Sequence, residues 1–312
     1  MSDAHAAIVR ELAAGMAQPP SGDRLTQLTA MRQALDGRGE AADIDAVVTP
    51  VDAAGVGGEW VTPANAEIGR RLLYLHGGGY VMGSTRSHRP ITARLANVAH
   101  AAVLAIDYRL MPEVSRQAGI DDVHLANRWI LENGPEGEST ATSLIVAGDS
   151  SGGNLVLSTI AWAGDQGLTA ASAVVALCPH TDATYSSHSL ERNITNDVLQ
   201  GGTLGPLVQG PRPLALWMSF LTNRMNPRDP SVSPLLGDLS GLPPTLLQAS
   251  AAGMFMDDAV RYTNKANAQG SIVELQVWPH TVHVWRAFAT PETDAAFEDI
   301  ARVLEKHGAR RR

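Results

Sequence analysis

From Leu72 to the C-terminus, short runs of consecutive apolar residues alternate with longer segments in which apolar positions recur at helical spacing. The runs are LLYLH, VLAIDY, LIVAGD, AVVALCP, TLLQAS and VELQVWP. They are too short for buried helices and rich in Leu, Val and Ile, so they predict strands covered on both faces. Between them, ITARLANVAHA, DDVHLANRWILEN, NLVLSTIAWAGDQ, the segment Met256 to Ala268, and TDAAFEDIARVLEKH predict amphipathic helices. That alternation is the pattern of βαβ units, and it predicts an α/β fold with a mostly parallel sheet between two layers of helices.

Two stretches break the pattern. Residues 1–45 read as two helices around QPPSGD, where Pro19 and Pro20 stop the first helix and Ser21 or Asp23 caps the second. Residues from about 185 to 225 carry LGPLVQGPRPLALWMSFL, whose tail is helical and apolar on one side. The organisation expected is therefore an N-terminal pair of cap helices (1–45) and a catalytic domain (46–312) with a cap insertion at about 185–225. Trp217, Met218 and Phe220 leave two readings open, an apolar acyl or terpenoid pocket or the buried inner face of a cap helix. No internal repeat or low-complexity tract interrupts the chain.

Composition narrows the function. A chain of 312 residues with 44% hydrophobic content can bury one large core. The formal net charge of -8 argues against nucleic acid or an anionic membrane as the main partner, since both call for basic patches. A small molecule is the expected partner. The single cysteine, Cys178, excludes an intrachain disulfide and a Cys-based metal cluster, and its place in AVVALCP predicts a packed strand residue. The N-terminal segment MSDAHAAIVRELAAGM lacks the apolar core of a signal peptide, and no segment is long and apolar enough to span a bilayer, so a cytoplasmic protein is expected. The sequon NIT at 193–195 carries no weight in that setting. The last strand is a candidate exposed edge, which is compatible with a homodimer.

Three segments carry chemistry. In SLIVAGDSSGGNLVL, Gly148, Ser150 and Gly152 fit the G-x-S-x-G elbow, which places a nucleophilic serine on a sharp turn from strand to helix. Ser151 does not fit, because Asp149 stands where its first glycine would be. In LLYLHGGGYVMGS, a strand ending in His76 and three glycines exposes backbone N–H groups suited to an oxyanion. Gly77 and Gly78, with the amide of Ser151, are assigned that role. The alternatives are a plain glycine turn or a phosphate loop, but neither G-K-[ST] nor a helix-opening G-x-G-x-x-G is present here. In VWPHTVHVWRAF, His283 follows the last strand and is the expected general base, with His280 a surface or lid-facing residue. No H-E-x-x-H occurs, so neither a metal nor another cofactor is expected, and His88 and His180 are read as structural.

Taken together, HGGGYVMGSTRSHR, AIDYRLMPE, GDSSGGN, DPSVSPLLGDLSGLPP and WPHTVHVW resemble the hormone-sensitive-lipase family of α/β hydrolases, near its bacterial carboxylesterases and monoterpene lactone hydrolases. The likeness runs from about Glu59 to the C-terminus. It implies an α/β-hydrolase fold with an eight-stranded, mostly parallel sheet and a helical cap, a Ser-acid-His triad in that chain order, and short-chain ester or lactone substrates. The family places its acid after the strand that TLLQAS resembles, and that position falls on Gly253.

Three explanations for Gly253 stand side by side. Asp257, about one helical turn further on, serves as the substitute acid, although an acid there also suits a helix N-terminus. Alternatively, the glycine is a lesion in an ordinary esterase. Or the scaffold has turned to elimination, cyclisation or ligand binding. The expected function is a serine ester or lactone hydrolase, impaired at Gly253, with a lyase, cyclase or ligand-binding protein as the alternative. Its ligand is expected to be a small ester, lactone or apolar natural product.

Overall fold

The apolar runs become the central strands of one sheet because each is flanked by a helix that covers it. The structure is a computed structural model and describes residues 1–17 and 20–307. The strands are β1 (Val47–Ala53), β2 (Val56–Thr62), β3 (Glu67–Leu75), β4 (Ala101–Ile106), β5 (Ser143–Asp149), β6 (Ala173–Leu177), β7 (Thr245–Ser250) and β8 (Val273–Trp278). They form an eight-stranded sheet in the order β1-β2-β4-β3-β5-β6-β7-β8. β2 pairs antiparallel with β1 and with β4, and every pair from β4 to β8 is parallel. All residues of β4, β6 and β7 are buried, as parallel strands under two helical layers must be.

The β1–β2 hairpin was not legible in the apolar pattern, which starts only at Leu72. Its two-residue loop has Ala54 at φ 59° and Gly55 at φ 89°, both left-handed, as the tightest hairpin loops require.

Helices α3 (Arg89–Ala99) and α10 (Pro291–His307) cover one face of the sheet, with Leu95 and Ile300 among the buried residues. Helices α4 (Arg116–Trp129), α5 (Ser151–Asp165) and α9 (Met256–Ala268) cover the other through Val123, Leu157 and Tyr262. The five helices predicted from periodicity all form.

Two further helices precede the sheet, α1 (Asp3–Met16) and α2 (Arg24–Glu40). Asp23 caps α2, its carboxylate accepting from the Thr26 amide at 2.8 Å. Pro19, expected to stop α1, lies outside the described residues. α2 rests on the loop after β3, where Arg32 donates to the carbonyls of Val81 and Met111 at 2.7 and 3.0 Å. From α1, the buried His5 accepts from the Val282 amide at 3.0 Å and so braces the loop after β8.

Between β6 and β7 lie α6 (Ser189–Arg192), α7 (Gly201–Val208) and α8 (Arg212–Asn223). Of the two readings of LWMSFL, the buried inner face of a cap helix is overturned. α8 buries the small and polar stripe Ala215, Ser219 and Asn223, while Trp217, Met218 and Phe220 stand 57%, 41% and 50% exposed. Polar bonds decide the orientation, since Ser219 donates to the Ala183 carbonyl and Asn223 accepts from the buried Arg116. Among the described residues no helix is long and apolar enough to cross a membrane.

Candidate active site

Parallel strands deliver their C-terminal ends to one edge of the sheet, and the loops after β3, β5, β7 and β8 meet there. Ser150 occupies the turn between β5 and α5 with φ 52° and ψ -117°. A left-handed φ is strained for a residue with a Cβ. The surroundings enforce it. The Ser150 amide donates to the Leu177 carbonyl at 2.7 Å. The flanking glycines let β3 press against the turn, since a Cβ on Gly152 or Gly148 would stand 2.0 or 2.5 Å from the Leu75 carbonyl oxygen.

His283 hangs from the loop after β8. That loop is pinned by Ser250 Oγ, which donates to the Thr281 carbonyl at 2.5 Å, and by the Val282–His5 bond. The ring reaches back across the sheet edge, and Nε2 lies 2.8 Å from Ser150 Oγ, 133 residues away in sequence. For Nε2 to accept the hydroxyl proton, the neutral ring carries its hydrogen on Nδ1. Both side chains are buried, and Phe255 packs edge-on against the imidazole at 5.6 Å. His280 is exposed.

Burial pushes the His283 pKa down, but the Cys178 thiol beside it and the carboxylates of Asp197 and Asp149 outweigh burial and raise it above 6.5. Cys178 is buried as expected, although it sits just beyond β6 and against this imidazole. Burial would raise the thiol, but His283 and Arg286 pull it down to about 7.

The glycine loop after β3 corrects one expectation. The Gly77 amide does not face the serine, because it donates to Asp149 Oδ1 at 2.9 Å. A Cβ at Gly77 would lie 2.1 Å from Asp149 Oδ2, so only glycine brings the loop this close. The amides of Gly78 and Gly79 meet no acceptor among the described residues. Both have left-handed φ, 117° and 64°, which turns the chain over the elbow. The Ser151 amide opens α5, where the first N–H groups have no intrahelical partner.

Asp149 is the hub beneath this loop. Its Oδ1 also accepts from Tyr74 Oη at 2.6 Å and faces His88 Nε2 at 3.4 Å. Burial would raise its pKa, but His88, Tyr74 and the Gly77 amide bring it down to about 2. His88, read as structural, is held above its ordinary value against its own burial by that carboxylate.

The turn after β7 settles where the nearby acids point. Asp257 does not approach His283. Its Oδ2 accepts from the Ser189 amide at 2.8 Å, and its Oδ1 pairs with Arg192 at 3.0 Å. Asp258 is buried and accepts from the amides of Thr181 and Asp182, while burial pushes its pKa up to about 7. The carboxylate that does approach Gly253 belongs to Asp197, between α6 and α7, with Oδ2 3.8 Å from where a Gly253 Cβ would be. Nothing in the spacing of NITNDVLQ singles this residue out. Among the described residues no cluster of three or more His, Cys, Asp or Glu is arranged to hold a metal ion.

The family model for the alpha/beta hydrolase fold matches residues 72–287. An acetyl-hydrolase of Streptomyces hygroscopicus is 36% identical over 258 residues, covering 80% of this chain and 81% of that protein. The carboxylesterase NlhH of Mycobacterium tuberculosis is 33% identical over 218 residues, 70% of this chain and 67% of its own. Among solved structures, an esterase from the bacterial hormone-sensitive lipase family superposes with a TM-score of 0.84 at 30% identity, covering 98% of this chain and 99% of that one.

Proposed function

Because the chain belongs to the alpha/beta hydrolase fold family, in its hormone-sensitive-lipase branch, we propose that it hydrolyses short-chain carboxylic esters through an acyl-enzyme on Ser150. The observation that carries this reading is the 2.8 Å bond from Ser150 Oγ to His283 Nε2 at a strained elbow. A structural serine gains nothing from such a bond at such a φ, whereas a nucleophile needs both.

In this reading His283 Nε2 takes the hydroxyl proton as Ser150 Oγ attacks the ester carbonyl. The negative charge that develops on the carbonyl oxygen is met by the amides of Gly78, Gly79 and Ser151. The imidazolium then gives its proton to the departing alcohol, and a water activated by the same ring releases the acid and frees Ser150. A preference for small acyl groups is supported by the near-closed entrance, with Ser150 7% and His283 4% exposed, and by the names of the relatives, which include an ethyl acetate hydrolase of Pseudomonas putida. The helices of residues 1–45 and 185–225 act as the cap. Supporting this, α2 is bonded to the loop after β3, and Ser189 and Asn193 are bonded to the turn after β7.

The test is hydrolysis of p-nitrophenyl esters from acetate to decanoate, alongside labelling by a fluorophosphonate. Turnover that falls with chain length, and a label lost in Ser150→Ala, are expected. Folded wild-type protein that neither turns over any of these esters nor takes the label refutes the reading.

A further inference from the structure

The loop after β3 holds three left-handed residues in a row, Gly78 at φ 117°, Gly79 at 64° and Tyr80 at 64°. Glycine adopts that backbone freely, whereas a tyrosine is strained there and persists only where its surroundings over-determine it. The Tyr80 carbonyl accepts from the Met111 amide at 2.8 Å. Its side chain is held by the guanidinium of Arg116, the first residue of α4. Arg116 Nη2 donates to Tyr80 Oη at 2.8 Å, and Cζ lies 3.9 Å from the centre of the tyrosine ring.

Arg116 is itself unusual. It is 3% exposed, yet it pairs with no carboxylate among the described residues. Buried charges are ordinarily paired. Here neutral oxygens replace the acid. Besides Tyr80, Nη2 donates to Asn154 Oδ1 at 2.8 Å, and Nη1 donates to Asn223 Oδ1 of α8 at 2.9 Å. Asn154 lies one helical turn past the nucleophile, and its amide donates to the Ser150 carbonyl at 3.1 Å. One rigid, planar fork therefore sets the loop after β3 against the helix that follows Ser150.

We propose that Arg116 is a positioning residue for the oxyanion amides of Gly78 and Gly79. The inference deepens the esterase reading above and rests on it. The loop is anchored on both sides of these two glycines, by the Gly77 amide on Asp149 Oδ1 at 2.9 Å and by the Tyr80 side chain on Arg116. The amides between the anchors meet no acceptor among the described residues, so no bond of their own directs them. They must face an oxygen whose charge develops only during the reaction, and their direction has to come from their neighbours. A misdirected amide costs little in the ground state and much once the carbonyl oxygen is charged, so its loss falls on kcat rather than KM.

The experiment compares Tyr80→Phe, Arg116→Met and the Arg116→Met/Tyr80→Phe double variant. Each is followed by p-nitrophenyl acetate kinetics, fluorophosphonate labelling, thermal unfolding and inhibition by 1,1,1-trifluoro-2-butanone. That ketone is attacked by the serine and places an oxyanion where the ester's would form. No acid faces Arg116, so Arg116→Met strands no buried anion and the fold is expected to hold. It lowers kcat by about tenfold or more with KM within about threefold, and affinity for the ketone falls in step with kcat. Tyr80→Phe, which removes only the hydroxyl, lowers kcat by about threefold or more. Adding it to Arg116→Met costs less than about twofold further, because both changes remove the same contact.

An unchanged kcat in both folded single variants overturns the proposal, as does a loss confined to KM or a double variant in which the two losses multiply. If Arg116→Met does not fold, an unchanged kcat in Tyr80→Phe overturns it alone. Wild type that turns over no ester and takes no fluorophosphonate sinks the esterase reading and this inference together. Active wild type with unaffected variants sinks this inference only.

Discussion

Asp149→Asn tests how far the catalytic geometry depends on a charge that never touches substrate. Burial alone would push this carboxyl up, yet His88, Tyr74 and the Gly77 amide carry it from 3.8 to about 2. The ionised form is thus favoured in the folded state by about 2 to 3 kcal/mol at neutral pH. A group depressed in this way contributes stability that is present above pH 3.8 and lost as pH falls through about 2. The asparagine removes the charge and turns an amide NH₂ towards donors, leaving part of a buried network unpaired. The expected cost is about 2 to 4 kcal/mol, a large share of the stability of a typical domain.

The assay is urea unfolding at neutral pH, read as a lower midpoint with an unchanged slope. Because Asp149 Oδ1 anchors the Gly77 amide, Gly78 and Gly79 lose their support as well. Ester turnover should fall by about tenfold or more, since small displacements of catalytic groups are costly. A stability change below about 0.5 kcal/mol, the range of an inconsequential surface substitution, would refute the reasoning. So would a destabilised variant with full turnover.

The remaining expectations are briefer. His283 must be neutral to accept the Ser150 proton and is held above 6.5, so kcat/KM should fall towards acid pH with a midpoint above 6.5; a midpoint below it contradicts the surroundings described for the ring. Gly152→Ala should abolish fluorophosphonate labelling, because its Cβ would lie 2.0 Å from the Leu75 carbonyl oxygen. Gly164→Ala, in the same helix with nothing within 4 Å, should be neutral or stabilising by up to about 1 kcal/mol in urea unfolding. Trp217→Ser, on the exposed side of α8, should change unfolding stability by less than about 0.5 kcal/mol.

The sequence by itself determined what depends on neighbours along the chain. Apolar runs of strand length between helical periods dictate a parallel sheet, because each must be covered on both faces. Gly148, Ser150 and Gly152 dictate the elbow, because that turn needs two residues without a Cβ around a serine at positive φ. His283 was legible from its place after the last strand. The family resemblance, rather than any spacing in the chain, marked Gly253 as the position where an acid is expected.

Tertiary structure decided the rest. Which glycine amides of the loop after β3 stay free depended on Asp149, a residue on a different strand. Which face of α8 turned inward depended on hydrogen bonds to Ala183 and Arg116, and that set its apolar pattern facing outward. Above all, the carboxylate beside Gly253 comes from Asp197, more than fifty residues earlier, brought there by bonds across an insertion. A carboxylate acts through space, and a sequence records only the order in which charges are strung. Folding alone brings Asp197 beside Gly253, and His283 beside Ser150.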